Sequence, residues 1–322
     1  MTRSCARHEC SAFIMKKVSM ILAAFALMTL GMVGCDRNDD TTDNPTNPTN
    51  PTNPTSGAFD QNGASNAVFS VAENKTVHFS KGNLQYQAST NTWRFAEHQY
   101  DYIGSDNANI SSTNSGWIDL FGWGTSGWNS GATCYQPWST SVTDSDYYPG
   151  GTYTNNLTGS YANADWGVYN AISNGGNQSG MWRTLTYDEW YYLMWTRNVT
   201  YRYAIACVNG TGGIIVFPDN FSLPPNVTVS EINTVNTSAA FMTNEYGQDD
   251  WLVLQNTGCI FLPAGGYRYG TDLHAVGPVG GYWSSTYDDN DNAWSMNFYG
   301  GIASYMLDNH RCNGHMVRLV QD

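Results

Sequence analysis

Charge is what this 322-residue sequence has least of: only 13% of its residues are Asp, Glu, Lys or Arg. The basic sign is the scarcer one, with 14 Lys and Arg against 27 Asp and Glu, and the basic residues form no cluster. A surface so poor in cations repels phosphate backbones, which excludes nucleic acid as a partner. Long apolar runs are missing as well. The longest, of about fifteen residues ending at Gly34, falls short of the ~20 a membrane-spanning helix needs. There is no G-x-S-x-G, H-E-x-x-H or P-loop motif and no pair of glutamates in a catalytic context, so no catalytic residue is assigned. Beyond one short proline repeat no internal period occurs, which excludes a solenoid.

What is abundant is aromatic and small: 12 Trp, 21 Tyr and 32 Gly, with Asn, Ser and Thr in place of Lys and Glu. Binding loops have this composition, because Tyr and Trp give contact area at low entropic cost. Sheet-rich secreted proteins share it, so composition alone leaves both readings open.

The chain divides by composition. Residues 1–34 read as a signal peptide with Met15 as its start: Lys16 and Lys17 precede the apolar run, and small Gly34 precedes Cys35. Removing these 34 residues takes away four basic side chains (Arg3, Arg7, Lys16, Lys17) and one acidic (Glu9). The remainder holds 10 basic residues against 26 acidic, a net charge of −16. The ending Met32-Val33-Gly34-Cys35 resembles the lipobox of bacterial lipoproteins. That resemblance implies cleavage before Cys35, acylation of its thiol and amine, and an outer-membrane anchor by lipid alone. Acidic Asp36–Asp43 resembles the export signal of surface-exposed lipoproteins, which implies display outside the cell. Within the tether, residues 35–57, NPTNPTNPTNPT from Asn44 to Thr55 places a proline at every third position and predicts a semi-rigid, polyproline-like spacer.

From Ala58 onward the pattern is that of an α+β domain spanning residues 58–322. Phe69, Val71, Val77 and Phe79 alternate about a turn at Glu73-Asn74-Lys75 and predict an N-terminal hairpin. Trp93, Phe95, Tyr100 and Tyr102 set the faces of a third strand. Ser105 to Gly159 has neither helical nor strand periodicity, but its Trp and Tyr content predicts a loop region pinned by its own aromatics. Two short helices follow. One covers Ala164–Ile172 and closes at Asn174-Gly175-Gly176; the other starts at a capping box, Thr186 with Glu189, and turns Tyr187, Trp190, Leu193 and Met194 to the core. A hairpin turns at Asn209-Gly210 and closes at Pro218. Three aromatic strand runs fill Thr257–Asp322.

The run Trp182-Arg183-Thr184-Leu185-Thr186-Tyr187-Asp188-Glu189-Trp190 resembles the W-R-L-P-T-x-x-E-W signature of C-type-lectin-like domains of the formylglycine-generating-enzyme and retroelement-diversified binding-protein type, departing from it at the third and fourth positions. Phe261–Arg268, Gly281–Thr286, Asn292–Phe298 and the closing Arg311, Gly314, Val317–Val320 are similar to the same superfamily's final strands, so the resemblance covers residues 160–322. It implies a twisted, mostly antiparallel core with two helices, first and last strands side by side, and long loops that carry recognition of an extracellular glycan or protein. Oxidising members of the family use two nearby cysteines late in the chain. Here Cys312 is alone in its segment, which argues against catalysis.

Strand alternation through Ala293–Tyr299 predicts Trp294, Met296 and Phe298 in the core and Ser295, Asn297 and Tyr299 outward. With the turn residues Tyr287, Asp288, Asp289, Asn290 and Asp291, and with Tyr305, Asn309 and His310 from the next strand, they make the candidate ligand face. A structural role, as a hydrated cell-surface or adhesive face, fits the same residues. Asp288-Asp289-Asn290-Asp291-Asn292 is oxygen-rich enough to suggest Ca2+, but it lacks the Gly and bidentate Glu of an EF-hand and reads more simply as a solvated acidic turn, so no cofactor is assigned. His310, Cys312 and His315 suggest zinc with Asp272 or His274, although alternation parts His315 from the other two. Cys134, Cys207, Cys259 and Cys312 allow two disulfides or buried free thiols.

Replacing Cys35 with Ala is expected to move the protein from the membrane to the soluble fraction. Detergent partitioning of the variant checks this, and an unchanged distribution would contradict lipidation.

Overall fold

The last strand of this fold lies between the first hairpin and the strand of the W-R-T-L-T run. The computed structural model describes residues 57–235, 240–300 and 302–322; the side chains of residues 240 and 303–305 are outside it, as are Cys35, the signal-like segment and the proline repeat. β1 (Phe69–Ala72) and β2 (Lys75–Phe79) form the expected hairpin, with Asn74 at a φ of 61° in its turn. β16 (Leu319–Gln321) pairs antiparallel with β2, Val320 opposite Phe79, and on its other side with β5 (Arg183–Thr184). A second hairpin joins β3 (Leu84–Gln87) to β4 (Thr92–Phe95); the third strand ends there, and Tyr100 and Tyr102 lie beyond it.

The remaining strands form three further sheets. β6 (Tyr203–Val208) and β7 (Thr211–Val216) turn at Asn209 and Gly210, whose φ angles of 47° and 78° are those of the tight hairpin turn that Asn-Gly favours. β8 (Glu245–Tyr246) adds in parallel to β6, and β9 (Ile260–Pro263) antiparallel to β7. β10 (Tyr267–Tyr269) lies between β11 (Asp272–His274) and β15 (Asn313–Gly314). β12 (Val279–Tyr287), β13 (Asn292–Tyr299) and β14 (Ile302–His310) make an antiparallel meander with β14 at its edge. The architecture is α+β with mostly antiparallel sheets.

Three short α-helices are present among the described residues where two were expected. α1 (Trp166–Tyr169) is shorter than the predicted segment because the Asp165 carboxylate accepts the Gly167 N–H and sets its start. α2 (Tyr187–Tyr191) has the predicted capping box: Thr186 Oγ1 accepts from Glu189 N at 3.2 Å, and Glu189 Oε2 from Thr186 N at 2.9 Å. It continues as a π-helical turn, Tyr192–Thr196. α3 (Gln248–Asn256) has no amphipathic stripe to signal it, since Trp251 and Leu254 are buried while Leu252 and Val253 face solvent.

Residues 105–159 carry only short 3-10 segments, turns and isolated bridges, yet Ile118, Leu120, Phe121, Trp123, Tyr147 and Leu157 are all buried, which is the pinned loop layer expected. The buried indoles donate to carbonyls across elements, Trp123 to Ser284 at 2.8 Å and Trp283 to Phe121 at 2.7 Å, so the rings dock without leaving an N–H unpaired. Cys134, Cys259 and Cys312 are free thiols.

Four arginines are almost completely buried: Arg197, Arg268, Arg311 and Arg318. Arg197 meets the Asp219 carboxylate at 3.0 Å. The hydrogen bonds of the others run to carbonyl and amide oxygens. Arg318 donates to Gln99 Oε1 at 2.7 Å, to the Phe261 carbonyl at 3.3 Å and to Asn83 Oδ1 at 3.4 Å. Gln99 in turn accepts from Phe261 N and donates to the Cys259 carbonyl, while Asn83 donates to the Tyr282 hydroxyl, which donates to the Pro263 carbonyl. One side chain just ahead of β16 thereby joins β9, β12 and the segments flanking the second hairpin. Burial lowers its pKa to about 9, so it stays charged at neutral pH.

Replacing Arg318 with Ala removes the donor to buried Asn83 Oδ1, one of two donors to buried Gln99 Oε1 and the bond to the Phe261 carbonyl, and is expected to cost on the order of 3 kcal/mol. Urea unfolding should show a lower midpoint at unchanged slope, and a midpoint within error of the parent would contradict the role given to this hub.

Candidate functional site

The turn between β12 and β13 is built by its own carboxylates and held from beneath. Asp289 Oδ1 accepts the N–H groups of Asp291 and Asn292, both at 2.9 Å, and Asp288 N donates to the Asn292 carbonyl at 3.0 Å. Arg311 supplies the support. Its guanidinium donates to the carbonyls of Asp289 at 2.7 Å, Asn292 at 3.2 Å and Tyr153 at 2.7 Å, and it lies over the rings of Trp123 and Tyr148. A carbonyl-clamped turn of this kind presents Asp288, Asn290 and Asp291 in a fixed arrangement, with Asn290 and Asp291 exposed.

The strand faces differ from the alternation forecast. Ser295 and Asn297 are buried, at 0% and 3% exposure, instead of facing outward. Register puts them on the same side as Trp283 and Gly281, and that side is covered by Phe121 of the loop layer and by His315, whose ring packs on Trp283. Alternation itself holds; the forecast failed because it assumed one wet face where both are covered. Asn297 Nδ2 and Asn309 Nδ2 both donate to Ser295 Oγ, at 2.7 and 2.6 Å, a sheltered polar network that takes these residues out of the ligand face. Tyr287 and Tyr299 are half-buried. Tyr305 pairs with Asn297 through its backbone, and its side chain lies outside the described residues.

Trp294, expected in the core, is half-exposed and sits opposite Asp308 across the β13–β14 ladder. Side chains of directly opposed residues share a face a few ångströms apart. Trp294 also packs on Tyr187, ring centres 4.6 Å apart. Tyr187 stacks beside Tyr191 at 6.0 Å, and Tyr191 beside Trp195 at 5.5 Å. A row of four aromatic rings therefore runs from the helical segment onto the sheet, and Tyr191 is 44% exposed. The row ends beside carboxylates. Burial, together with Asp308 and Asp289, pushes Asp288 up to about 6, and burial and Asp289 raise Asp308.

The two metal suggestions do not converge. The Asp289 carboxylate is occupied by the amides of its own turn, His310 is exposed and pairs with Asp144 at 2.9 Å, and Cys312 and His315 are buried. Among the described residues no three His, Cys, Asp or Glu side chains are grouped to hold a metal ion. Tyr187, Tyr191 and Trp195 recur every fourth position in the sequence, a signal that could have revealed the row, whereas the meeting of Trp294 with Asp308 needs the strand register.

Residues 199–320 match a family described as a domain of unknown function, DUF8237. The match includes the meander and its turn and leaves the capping-box run outside it. No curated protein and no solved structure matches the chain. No helix among the described residues is long and apolar enough to cross a membrane.

Because Asp308 helps to raise the Asp288 pKa, Asp308→Asn is expected to bring the Asp288 midpoint down from about 6 toward the ordinary carboxylate range. Side-chain NMR titration reads this directly. The sign follows from the raised folded value: the fold favours protonated Asp288, so its contribution to stability is full below the ordinary carboxylate pKa and is lost as pH rises through about 6. A midpoint that does not move would separate the two carboxylates.

Proposed function

We propose that this chain is a ligand-binding protein displayed at the cell surface on a lipid anchor at Cys35, with a C-type-lectin-like domain that recognises a neutral glycan rather than catalysing a reaction. The observation that carries the reading is the row Trp195, Tyr191, Tyr187 and Trp294 running into Asp308 and Asp288. Flat rings stack on the apolar faces of sugars, and carboxylates at the end of the row accept from hydroxyl groups. The strongly acidic body disfavours anionic ligands. The adjacency of first and last strands, the capping box after Trp182 and the closing meander all favour the C-type-lectin-like assignment. Fold alone does not name a function, so the aromatic row is the feature to test.

The test is a glycan array probed with the full chain, followed by Tyr191→Ala and Trp294→Ala. Each variant is expected to weaken binding about tenfold or more, ~1.4 kcal/mol, with the melting temperature of Tyr191→Ala unchanged. Full binding by both variants, or an array with no neutral glycan bound, would overturn the reading.

A further inference from the structure

On another part of the surface Phe59, Tyr100, Trp251 and Leu252 line a groove of about 110 Å³ that also takes in Lys81 and Glu97. Its floor is fixed by the Arg318 network. Gln99, which accepts from Arg318, donates through Nε2 to Gln255 Oε1 at 3.3 Å, and Trp251 Nε1 donates to the same oxygen at 3.2 Å. His98 stacks on Tyr100, ring centres 5.0 Å apart and nearly parallel, and is itself held by Asp101 at 3.0 Å. Leu252 completes the apolar wall and is 41% exposed.

Two opposite charges border these apolar surfaces without meeting. Among the described residues neither Lys81 nor Glu97 takes part in an ion pair, although the groove brings both to one place. Arg94 and Asp101, the charged residues nearest in sequence to Glu97, are engaged elsewhere: Arg94 donates to Gln85 Oε1 at 2.8 Å and lies over the Trp117 ring, and Asp101 holds His98. The Lys81 stem packs along Gly63, where a Cβ would stand 3.3 Å from Cγ and Cδ, which limits the directions its ammonium can take. A concave apolar surface with one cation and one anion at its border matches a small zwitterion. An ammonium pairs with the glutamate, a carboxylate accepts from the lysine, and an apolar group takes the aromatic wall. The volume sets the size of the occupant. It lies below the ~150 Å³ of a cavity that holds benzene, so the side chain must be short.

We propose that this groove binds a free α-amino acid with a small apolar side chain, its ammonium on Glu97, its carboxylate on Lys81 and its side chain against Tyr100, Trp251 and Leu252. The site shares no residue with the aromatic row, so it is tested separately from glycan recognition.

Calorimetric titration of the full chain with L-alanine tests the proposal, with acetate and ethylammonium as probes that each carry one of the two charges. L-alanine is expected to bind at a single site in the micromolar to millimolar range, and each single-charge probe about tenfold more weakly or worse. Glu97→Gln and Lys81→Gln should each weaken L-alanine binding about tenfold at unchanged melting temperature, and L-alanine should shift the Trp251 indole resonance of the parent. No saturable binding of glycine, L-alanine or L-valine would overturn the proposal, as would acetate or ethylammonium binding as tightly as L-alanine. L-tryptophan binding as tightly as L-alanine would overturn it as well, since the groove has no room for an indole.

Discussion

A guanidinium buried without a carboxylate is the constraint on which the rest of this structure depends. Arg318 forms hydrogen bonds to neutral oxygens only, and those oxygens belong to segments far apart in sequence: Asn83, Gln99 and Phe261. An ion removed from water needs several well-placed acceptors, so its position is set only when all of them are present. That requirement fixes the approach of β16, and β16 in turn completes the sheet of the first hairpin. Arg268 repeats the device with the carbonyls of Leu120 and Gly270, tying the loop layer to β10. In a chain with few charges, cations are placed where one side chain can join several backbones.

Arg311 uses the same chemistry beneath a surface turn. By clamping three carbonyls and stacking on two rings it turns five consecutive polar residues into a rigid turn. Preorganisation of this kind lowers the ordering cost of any ligand the turn meets. The neighbouring aromatic row is rigid for a different reason, since its tyrosines rise from a helix whose first turn is locked by Thr186, Glu189, Arg183 and Lys75. Glu189 is therefore structural: its pKa is lowered although burial alone would raise it, because Arg183, Lys75 and the Thr186 amide all stabilise the anion.

Local chemistry was legible in the sequence. The Glu73-Asn74 turn, the Asn209-Gly210 turn and the Thr186 capping box each depend on a few adjacent residues, and each was placed correctly. The aromatic loop layer was legible from composition, because disordered segments are poor in Trp and Tyr. What failed depended on distant partners. Ser295 and Asn297 read as outward because nothing in β13 reveals that residues 105–159 fold over that side. Trp294 read as core because its alternation phase matches Met296, yet it packs on Tyr187 at the start of the helix, itself only half-buried. α3 went unread because its apolar residues lie on two sides, one facing the core and one facing solvent. Of the candidate site, the turn was found and the aromatic row was missed.

The position of β16 has a consequence for how the chain is made. Val320 pairs with Phe79, so an early hairpin holds an unpaired edge until a strand from the other end of the described chain arrives. Closing so long a loop is slow, and contacts of large sequence separation form late. During synthesis the emerging chain therefore cannot lock into its final sheet, and an incomplete product keeps β2 open to any extended segment nearby.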